Sequence, residues 1–182
     1  MTAPCLILVD WQKGFRDGDY WGPRNNPDAE HNAERLLRHW RVKGWPVIHV
    51  RHGSTEAKSV LRPELPGNEI EDFVRPAENE PVYAKTVNSA FIGTTLEHDL
   101  RERGLSHLVF TGVSTDHCVN TTVRMAANLG FAATVVADAC YAFERTTLDG
   151  RRIDAQSIHE AHLASLAGEF ARISNTADVI LE

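Results

Sequence analysis

Cys118 lies where the sequence predicts that a buried strand ends and a helix begins. Residues 108–111 form a short apolar, β-prone run that ends at Gly112 and predicts a buried strand. From Thr115 onward the apolar positions recur every three or four residues as far as Gly130, which predicts a helix with a glycine cap. Cys118 is therefore expected in the first helical turn, where free backbone N–H groups favour a thiolate. It is a candidate nucleophile, although free cysteines are also common as small buried hydrophobic residues.

Two further ionisable residues end apolar runs. Asp10 follows the continuous run CLILV at residues 5–9, and Lys85 ends the strand-like run Val82–Lys85. Runs that are apolar throughout are typical of central parallel strands, and ligands bind at the carboxyl ends of such strands. The alternatives are a helix-capping or turn-forming aspartate and a solvated surface lysine.

The elements around these residues alternate between strand and helix. The pattern predicts helices at 29–43, 91–103 and 154–170, and further strands beginning at 47 and at 132–137, with an edge strand at 179–181. This alternation predicts parallel βαβ units in a doubly wound α/β fold. The 182 residues suffice for one core, so a single domain over residues 1–182 is expected.

Composition restricts the class of partner. The formal charge of −6 argues against nucleic acid or an anionic membrane, and no apolar stretch approaches the roughly 20 residues of a membrane span. The first ten residues have no basic region of the kind that begins a signal peptide. Three widely spaced cysteines fit a reduced cytoplasm. We therefore expect a cytoplasmic protein whose partner is a small molecule.

Several loop residues are candidates for a substrate pocket. Aromatic residues that could form its walls occur in two loops, namely Phe15, Trp21, Tyr141 and Phe143. His52 and Arg145 could recognise a polar or anionic group, while interface packing is the alternative for all of them. The pair His49 and His52 is weak evidence for a metal, because no Asp-x-His pair lies nearby. The long polar segment 54–80 is expected to act as a lid or a subunit contact.

Several of these motifs together resemble the isochorismatase-like (cysteine hydrolase) superfamily over nearly the whole chain. The matching segments occur in the same order, and they are LVDWQKGF, YAKTVNSAFIGTTL, GVSTDHCVNTTVRMAANLG, VVADACYAF and HLASLAGEFARISNTADVI. The resemblance implies a parallel six-stranded sheet with helices on both faces. That architecture agrees with the strand and helix pattern described above.

The resemblance also implies a catalytic triad of Asp10, Lys85 and Cys118. In that scheme Asp10 is the general base and acid, Lys85 maintains the ionised state, and Cys118 attacks a carbonyl carbon. The backbone N–H groups of Ser114 and Cys118 would stabilise the oxyanion. Relatives have a cis peptide bond before the first of these donors, here Val113–Ser114.

Departures from subfamily patterns narrow the expected activity. Isochorismatases proper, which cleave a vinyl ether, lack the cysteine, so Cys118 favours C–N hydrolysis through a thioester. The stretch HVRHGSTEAKS lacks the Asp-x-His cluster of metal-binding nicotinamidases, so we expect neither a metal nor a cofactor. Relatives imply a homo-oligomer, a dimer or tetramer. Vinyl-ether hydrolysis and a non-catalytic binding protein remain the alternatives.

Overall fold

A computed structural model of the protein describes residues 3–181. Its strands in chain order are β1 (Cys5–Val9), β2 (Val47–His52), β3 (Val82–Lys85), β4 (His107–Val113), β5 (Ala132–Tyr141), β6 (Arg145–Thr146), β7 (Arg152–Ile153) and β8 (Arg172–Ser174). Six of them form one sheet in the order β3-β2-β1-β4-β5-β8, and every neighbouring pair is parallel. Strands β6 and β7 form a small antiparallel pair. The predicted six-stranded parallel sheet is confirmed.

Helices cover both faces of this sheet. They are α1 (Gly18–Trp21), α2 (Ala29–Lys43), α3 (Leu96–Glu102), α4 (Asn120–Asn128), α5 (Ala155–Leu166) and α6 (Thr176–Leu181). The apolar residues of α2 and α6 pack on one face, and those of α3, α4 and α5 pack on the other. None of these helices, within residues 3–181, is long and apolar enough to cross a membrane.

Strand β1 shows why the central run is apolar throughout. Successive side chains of a strand point to opposite faces, so both faces of a central strand are buried. Cys5, Ile7 and Val9 pack into the core beneath α3, α4 and α5. Leu6 and Leu8 pack into the core beneath α2 and α6.

The prediction for the last element was wrong. Residues 179–181, predicted as an edge strand, belong to helix α6, and the edge strand is β8 instead. The cause is a distant cap: the Asp138 carboxylate accepts hydrogen bonds from the backbone N–H and the hydroxyl of Thr176, both at 2.8 Å. This cap satisfies a free N–H at the start of α6 and favours helix.

Three other predicted boundaries shift. The helix predicted from Phe91 begins at Leu96, because residues 89–95 form turns held by Ser89 and Thr94 hydroxyls. The helix predicted to end at Phe170 ends at Leu166. Strand β5, predicted to stop before Asp138, continues to Tyr141 because it stays paired with β4.

The sheet reverses its direction of growth between β1 and β4. From β1 the chain builds outward through β2 and β3, and from β4 it builds outward through β5 and β8. A crevice forms at the carboxyl ends of the strands at such a switch point, where ligands bind in doubly wound folds. Gly112 lies there opposite Val9, with φ of +153°. A Cβ atom on Gly112 would lie 2.1 Å from the Val9 carbonyl oxygen.

We expect Gly112→Ala to destabilise the fold by about 3 kcal/mol, because both the backbone conformation and the close approach to Val9 exclude a side chain. Gly130→Ala is the matched control, since Gly130 also has a positive φ, of +85°, but has no atom within 4 Å of its Cβ position. That variant should lose only about 1 kcal/mol. Urea unfolding of both variants measures the difference. Equal losses of unfolding free energy in the two variants would show that the close approach of Gly112 to Val9 adds nothing to the destabilisation.

A buried carboxylate joins β2 to the segment that leads into β3. Glu80 accepts hydrogen bonds at 2.8 Å from His49 and from the Arg41 guanidinium, and at 3.0 Å from the Ala77 N–H. Burial alone would raise the pKa of Glu80, but these hydrogen bonds, together with the charge of Arg41, lower it from 4.5 to about 2. The ionised form of Glu80 is therefore the one that the folded protein stabilises.

Because the pKa of Glu80 is lowered in the folded protein, Glu80 makes the free energy of unfolding fall at acid pH. The contribution of Glu80 to stability is fully present above about pH 4.5 and is lost as the pH falls towards 2. We expect Glu80→Gln to reduce the free energy of unfolding at pH 7 by on the order of 2 kcal/mol. The variant should also lose less further stability between pH 5 and 2 than the wild type loses. Exposed Glu78→Gln is the control, and parallel acid curves for all three proteins would refute this role.

Candidate active site

Asp10 begins the site at the carboxyl end of β1. Its backbone N–H donates to the Val50 carbonyl at 2.9 Å, and its φ of +53° turns the chain away from the sheet. Aspartate adopts this left-handed conformation more readily than most residues, although it still costs energy. The residue is fully buried, so its carboxylate needs partners within the protein.

Lys85 supplies the main partner from the end of β3. Its fully buried ammonium donates to Asp10 Oδ2 at 2.6 Å and to Cys118 Sγ at 3.3 Å. It also lies 3.2 Å from Nδ1 of His52, so three acceptors surround its three N–H groups. Burial alone would lower the pKa of Lys85, but the charge of Asp10 and its contact with Cys118 raise it overall. The lysine is therefore held as a buried cation.

Cys118 faces these two residues from a turn of π-helix at Thr115–Val119, and α4 proper begins only at Asn120. Burial raises the pKa of the Cys118 thiol to about 12, the charge of Asp10 adds to this, and Lys85 opposes it. Burial therefore opposes the resting thiolate that the end of the helix was expected to favour. A base must take the proton when the sulfur attacks.

The carboxylate beside Cys118 is that of Asp10. Lys85 occupies its Oδ2, whereas Oδ1 is buried without a nitrogen or oxygen donor among residues 3–181. An oxygen of Asp10, Nδ1 or Nε2 of His52, and Cys118 Sγ all lie within 4.8 Å of one another.

This cluster of Asp10, His52 and Cys118 has donor types that could hold a metal ion. The Lys85 ammonium already lies among all three, at 2.6, 3.2 and 3.3 Å from the oxygen, nitrogen and sulfur atoms. The positive charge that a metal would bring is therefore supplied here by a side chain of the protein itself.

The turn before Cys118 contains the predicted oxyanion donors. The peptide bond Val113–Ser114 is cis, as the resemblance implied. The N–H groups of His117 and Val119 donate to the Ser114 carbonyl at 3.1 and 3.2 Å. Ser114 and Cys118 both line the cavity described next.

A cavity of about 420 Å³ opens onto Cys118. Phe15, Trp21 and His52, which the sequence singled out, all line it. Its remaining lining residues are Tyr20, Ser54, Thr55, Glu56, Ser59, Leu61, Thr86, Val87, Asn88, Ser114 and His117. Residues from the first part of the 54–80 segment therefore form one wall of the cavity.

Tyr141 and Phe143 do not line this cavity but a neighbouring one of about 280 Å³. Because β5 extends to Tyr141, the tyrosine is buried against Trp11, with ring centroids 5.7 Å apart. Phe143 stacks behind Trp21 at 5.3 Å and supports the aromatic wall from outside. The sequence placed both residues in a single loop, and the longer strand separates them from the candidate nucleophile.

The sequence did not single out three amides near the site, of which Gln12 and Asn68 are buried and Asn88 is exposed. Gln12 joins β1 to the end of β2: its Oε1 accepts from the His52 N–H at 2.8 Å, and its Nε2 donates to the His52 carbonyl at 2.9 Å. Asn68 donates to the same carbonyl at 2.8 Å, and Asn88 Nδ2 lies 3.6 Å from Cys118 Sγ. Gln12 lies two residues after Asp10, which was the only local signal.

The fold and the site together define a doubly wound α/β protein that places a thiol, a carboxylate and an ammonium at its switch point. Comparison with known proteins gives the family, because the isochorismatase domain model matches residues 4–178. The chain belongs to the isochorismatase family.

Individual relatives agree over most of the chain. YrdC of Bacillus subtilis, named only as an isochorismatase family protein, is 44% identical over 97% of this chain and 94% of its own. The ureidoacrylate amidohydrolase RutB of Caulobacter vibrioides is 32% identical, covering 96% and 88% of the two chains. The crystal structure of a protein of the isochorismatase family from Chromobacterium violaceum is 46% identical in sequence, with a TM-score of 0.94. The match covers 98% of this chain and 92% of that one.

Proposed function

We propose that the protein is a cysteine amidohydrolase that cleaves a C–N bond of a small molecule, in an amide, a carbamoyl compound or a cyclic amide. One observation carries the proposal: the Lys85 ammonium joins the Asp10 carboxylate to Cys118 Sγ, and the cysteine faces a cavity. The ureidoacrylate amidohydrolase among the relatives supports the reaction class.

The first half-reaction uses the free oxygen of Asp10. The Cys118 thiol gives its proton to Asp10 while the sulfur attacks the substrate carbonyl carbon. The carbonyl oxygen becomes an oxyanion, which the N–H groups of Ser114 and Cys118 stabilise. Lys85 keeps its proton, and its positive charge offsets the negative charge as it passes from the carboxylate through the sulfur to the oxyanion.

The second half-reaction releases both products. Asp10 passes its proton to the departing nitrogen, the C–N bond breaks, and an amine or ammonia leaves a thioester on Cys118. A water molecule gives a proton to Asp10 and attacks the thioester carbonyl. The C–S bond then breaks, the acid product leaves, and the thiolate recovers its proton from Asp10.

A panel of small amides, ureido compounds and cyclic amides tests this reaction class, with release of ammonia or amine as the readout. The account predicts that at least one compound is turned over by the wild-type protein and is untouched by Cys118→Ala. Isochorismate is included, with release of pyruvate as its readout, because vinyl-ether hydrolysis needs no nucleophilic sulfur. Turnover of isochorismate alone, retained in the Cys118 variant, would replace the proposal with that alternative.

A further inference from the structure

The cavity next to Cys118 is lined by few charged residues, and their charge is negative. Among the described residues 3–181, those that line the cavity include one carboxylate, that of Glu56, and no arginine or lysine. Carboxylate substrates are generally held by arginine or lysine, because a buried anion without a partner is costly. The charge of the lining therefore opposes an anionic substrate.

The nearest cation is fully engaged. The Lys85 side chain is buried without exposed surface, and Asp10, His52 and Cys118 surround its three N–H groups. Its charge is balanced by Asp10 at 2.6 Å. A substrate carboxylate could reach this ammonium only by displacing one of these partners.

The two histidines in the lining add no positive charge near pH 7. Burial lowers the pKa of His52, and the charge of Lys85 lowers it further. Burial also lowers the pKa of His117, with Asp116 opposing the shift and Arg145 adding to it. Both rings therefore present neutral donors or acceptors to a substrate at that pH.

Cations close to the cavity are directed elsewhere. The Arg145 guanidinium, which the sequence suggested for anion recognition, lies 2.6 Å from the Asp116 carboxylate. Arg24 pairs with Glu30 at 2.7 Å. Lys58, two residues beyond Glu56, is exposed and lies outside the cavity lining.

Aromatic rings make up much of the apolar part of the lining. Trp21 packs with its ring centroid 4.8 Å from those of both Phe15 and Tyr20. Leu61 and Val87 line the cavity as well. Aromatic side chains of this kind pack well against a planar, apolar body.

We infer that the substrate is a small carboxamide that carries no carboxylate and has a flat apolar body, and that Glu56 helps to exclude anions. This inference rests on the proposed amidohydrolase function and names its substrate class. It separates this chain from the ureidoacrylate amidohydrolases among its relatives, because an acrylate substrate carries a carboxylate.

Two alkylating reagents test the charge selection at Cys118 itself. Iodoacetamide and iodoacetate differ mainly in charge, and peptide mass spectrometry measures the rate of each at Cys118 at pH 8. N-acetylcysteinamide, a neutral free thiol, gives the reference ratio of the two rates. We expect the protein to favour iodoacetamide over iodoacetate at least about tenfold more than the reference does, since the lining combines a carboxylate with the lack of any arginine or lysine that could offset the charge of the reagent.

Two matched variants test whether Glu56 causes the preference for iodoacetamide. Glu56→Gln should reduce this preference by about two- to fivefold, the change expected for a charge several ångströms away in a partly aqueous cavity. Glu64→Gln removes the same charge from the same segment outside the cavity lining and should leave the ratio unchanged. Equal ratios for the protein and the reference thiol, or a preference for iodoacetate, would overturn the inference.

A binding measurement keeps this inference separate from the proposed function. Benzamide and benzoate have nearly the same shape, and saturation-transfer NMR with Cys118→Ala compares their binding without any reaction. We expect binding of benzamide and at least tenfold weaker binding of benzoate. Tighter binding of benzoate, or binding of neither compound, would overturn the inferred substrate class. An unreactive Cys118 in a protein that binds benzamide in preference to benzoate would overturn only the proposed amidohydrolase function.

Discussion

Cys118→Ala should abolish amide hydrolysis, with a loss of at least about 10⁴-fold in kcat/KM, because the sulfur that carries the acyl intermediate is gone. Cys118 is 7% exposed and lines the cavity, whereas Cys5 and Cys140 are fully buried. The variant should keep its fold, since the exchange removes one sulfur atom from the cavity wall. Thermal unfolding and ammonia release measured on the same preparation check both expectations.

The matched control is Cys5→Ala, which removes a buried sulfur at the start of β1, far from the carboxyl edge of the sheet. It should lower the unfolding temperature and leave kcat/KM within about twofold. Hydrolysis that survives in Cys118→Ala but disappears in Asp10→Asn would indicate acid catalysis without a nucleophilic sulfur.

Asp10→Asn should produce two effects of opposite sign on Cys118. Turnover should fall by at least about 10³-fold, because the base that accepts the thiol proton and returns it to the leaving nitrogen is gone. Alkylation of Cys118 by iodoacetamide should instead begin at lower pH than in the wild type. The charge of Asp10 raises the pKa of this thiol and that of Lys85 lowers it, so losing the carboxylate leaves a thiolate facing an unpaired ammonium.

Lys85→Met supplies the comparison. It removes the charge that favours the thiolate, so the alkylation profile should move to higher pH while turnover is again lost. Both variants break a buried ion pair and should unfold at lower temperature, by an amount that corresponds to about 3 kcal/mol or more. The rate of Cys118 alkylation between pH 5 and 10 is the measurement. Shifts in the same direction for the two variants would contradict the assigned charges.

The sequence predicted the central part of this structure because that part depends on short, strong patterns. A strand that is buried on both faces must be apolar throughout, so the runs before Asp10 and Cys118 predict strands. Parallel strands bring their carboxyl ends to one edge, so residues far apart in sequence could be expected to meet there. The resemblance then gave a catalytic role to Lys85, one of the four lysines of the chain, which its position at the end of a strand could not do alone.

The remaining differences arise from contacts between distant segments. Helix α6 begins at a cap supplied by Asp138, 38 residues earlier, and the local apolar run had suggested a strand. Tyr141 does not line the cavity next to Cys118, because pairing with β4 extends β5 beyond its apolar run. The amide of Gln12 meets His52 only when β1 and β2 are side by side. Such roles depend on tertiary structure rather than on spacing.

The most direct test of the account is to look for the acyl group on Cys118. A chromogenic acyl ester, p-nitrophenyl acetate, is mixed with the protein, quenched in acid within the first turnover, and digested for peptide mass spectrometry. The account predicts a burst of about one p-nitrophenolate per chain and an acetyl group on the peptide that contains Cys118, with none on Cys5 or Cys140. Continued release of p-nitrophenolate by Cys118→Ala, with no acetylated Cys118 peptide in the wild type, would contradict it.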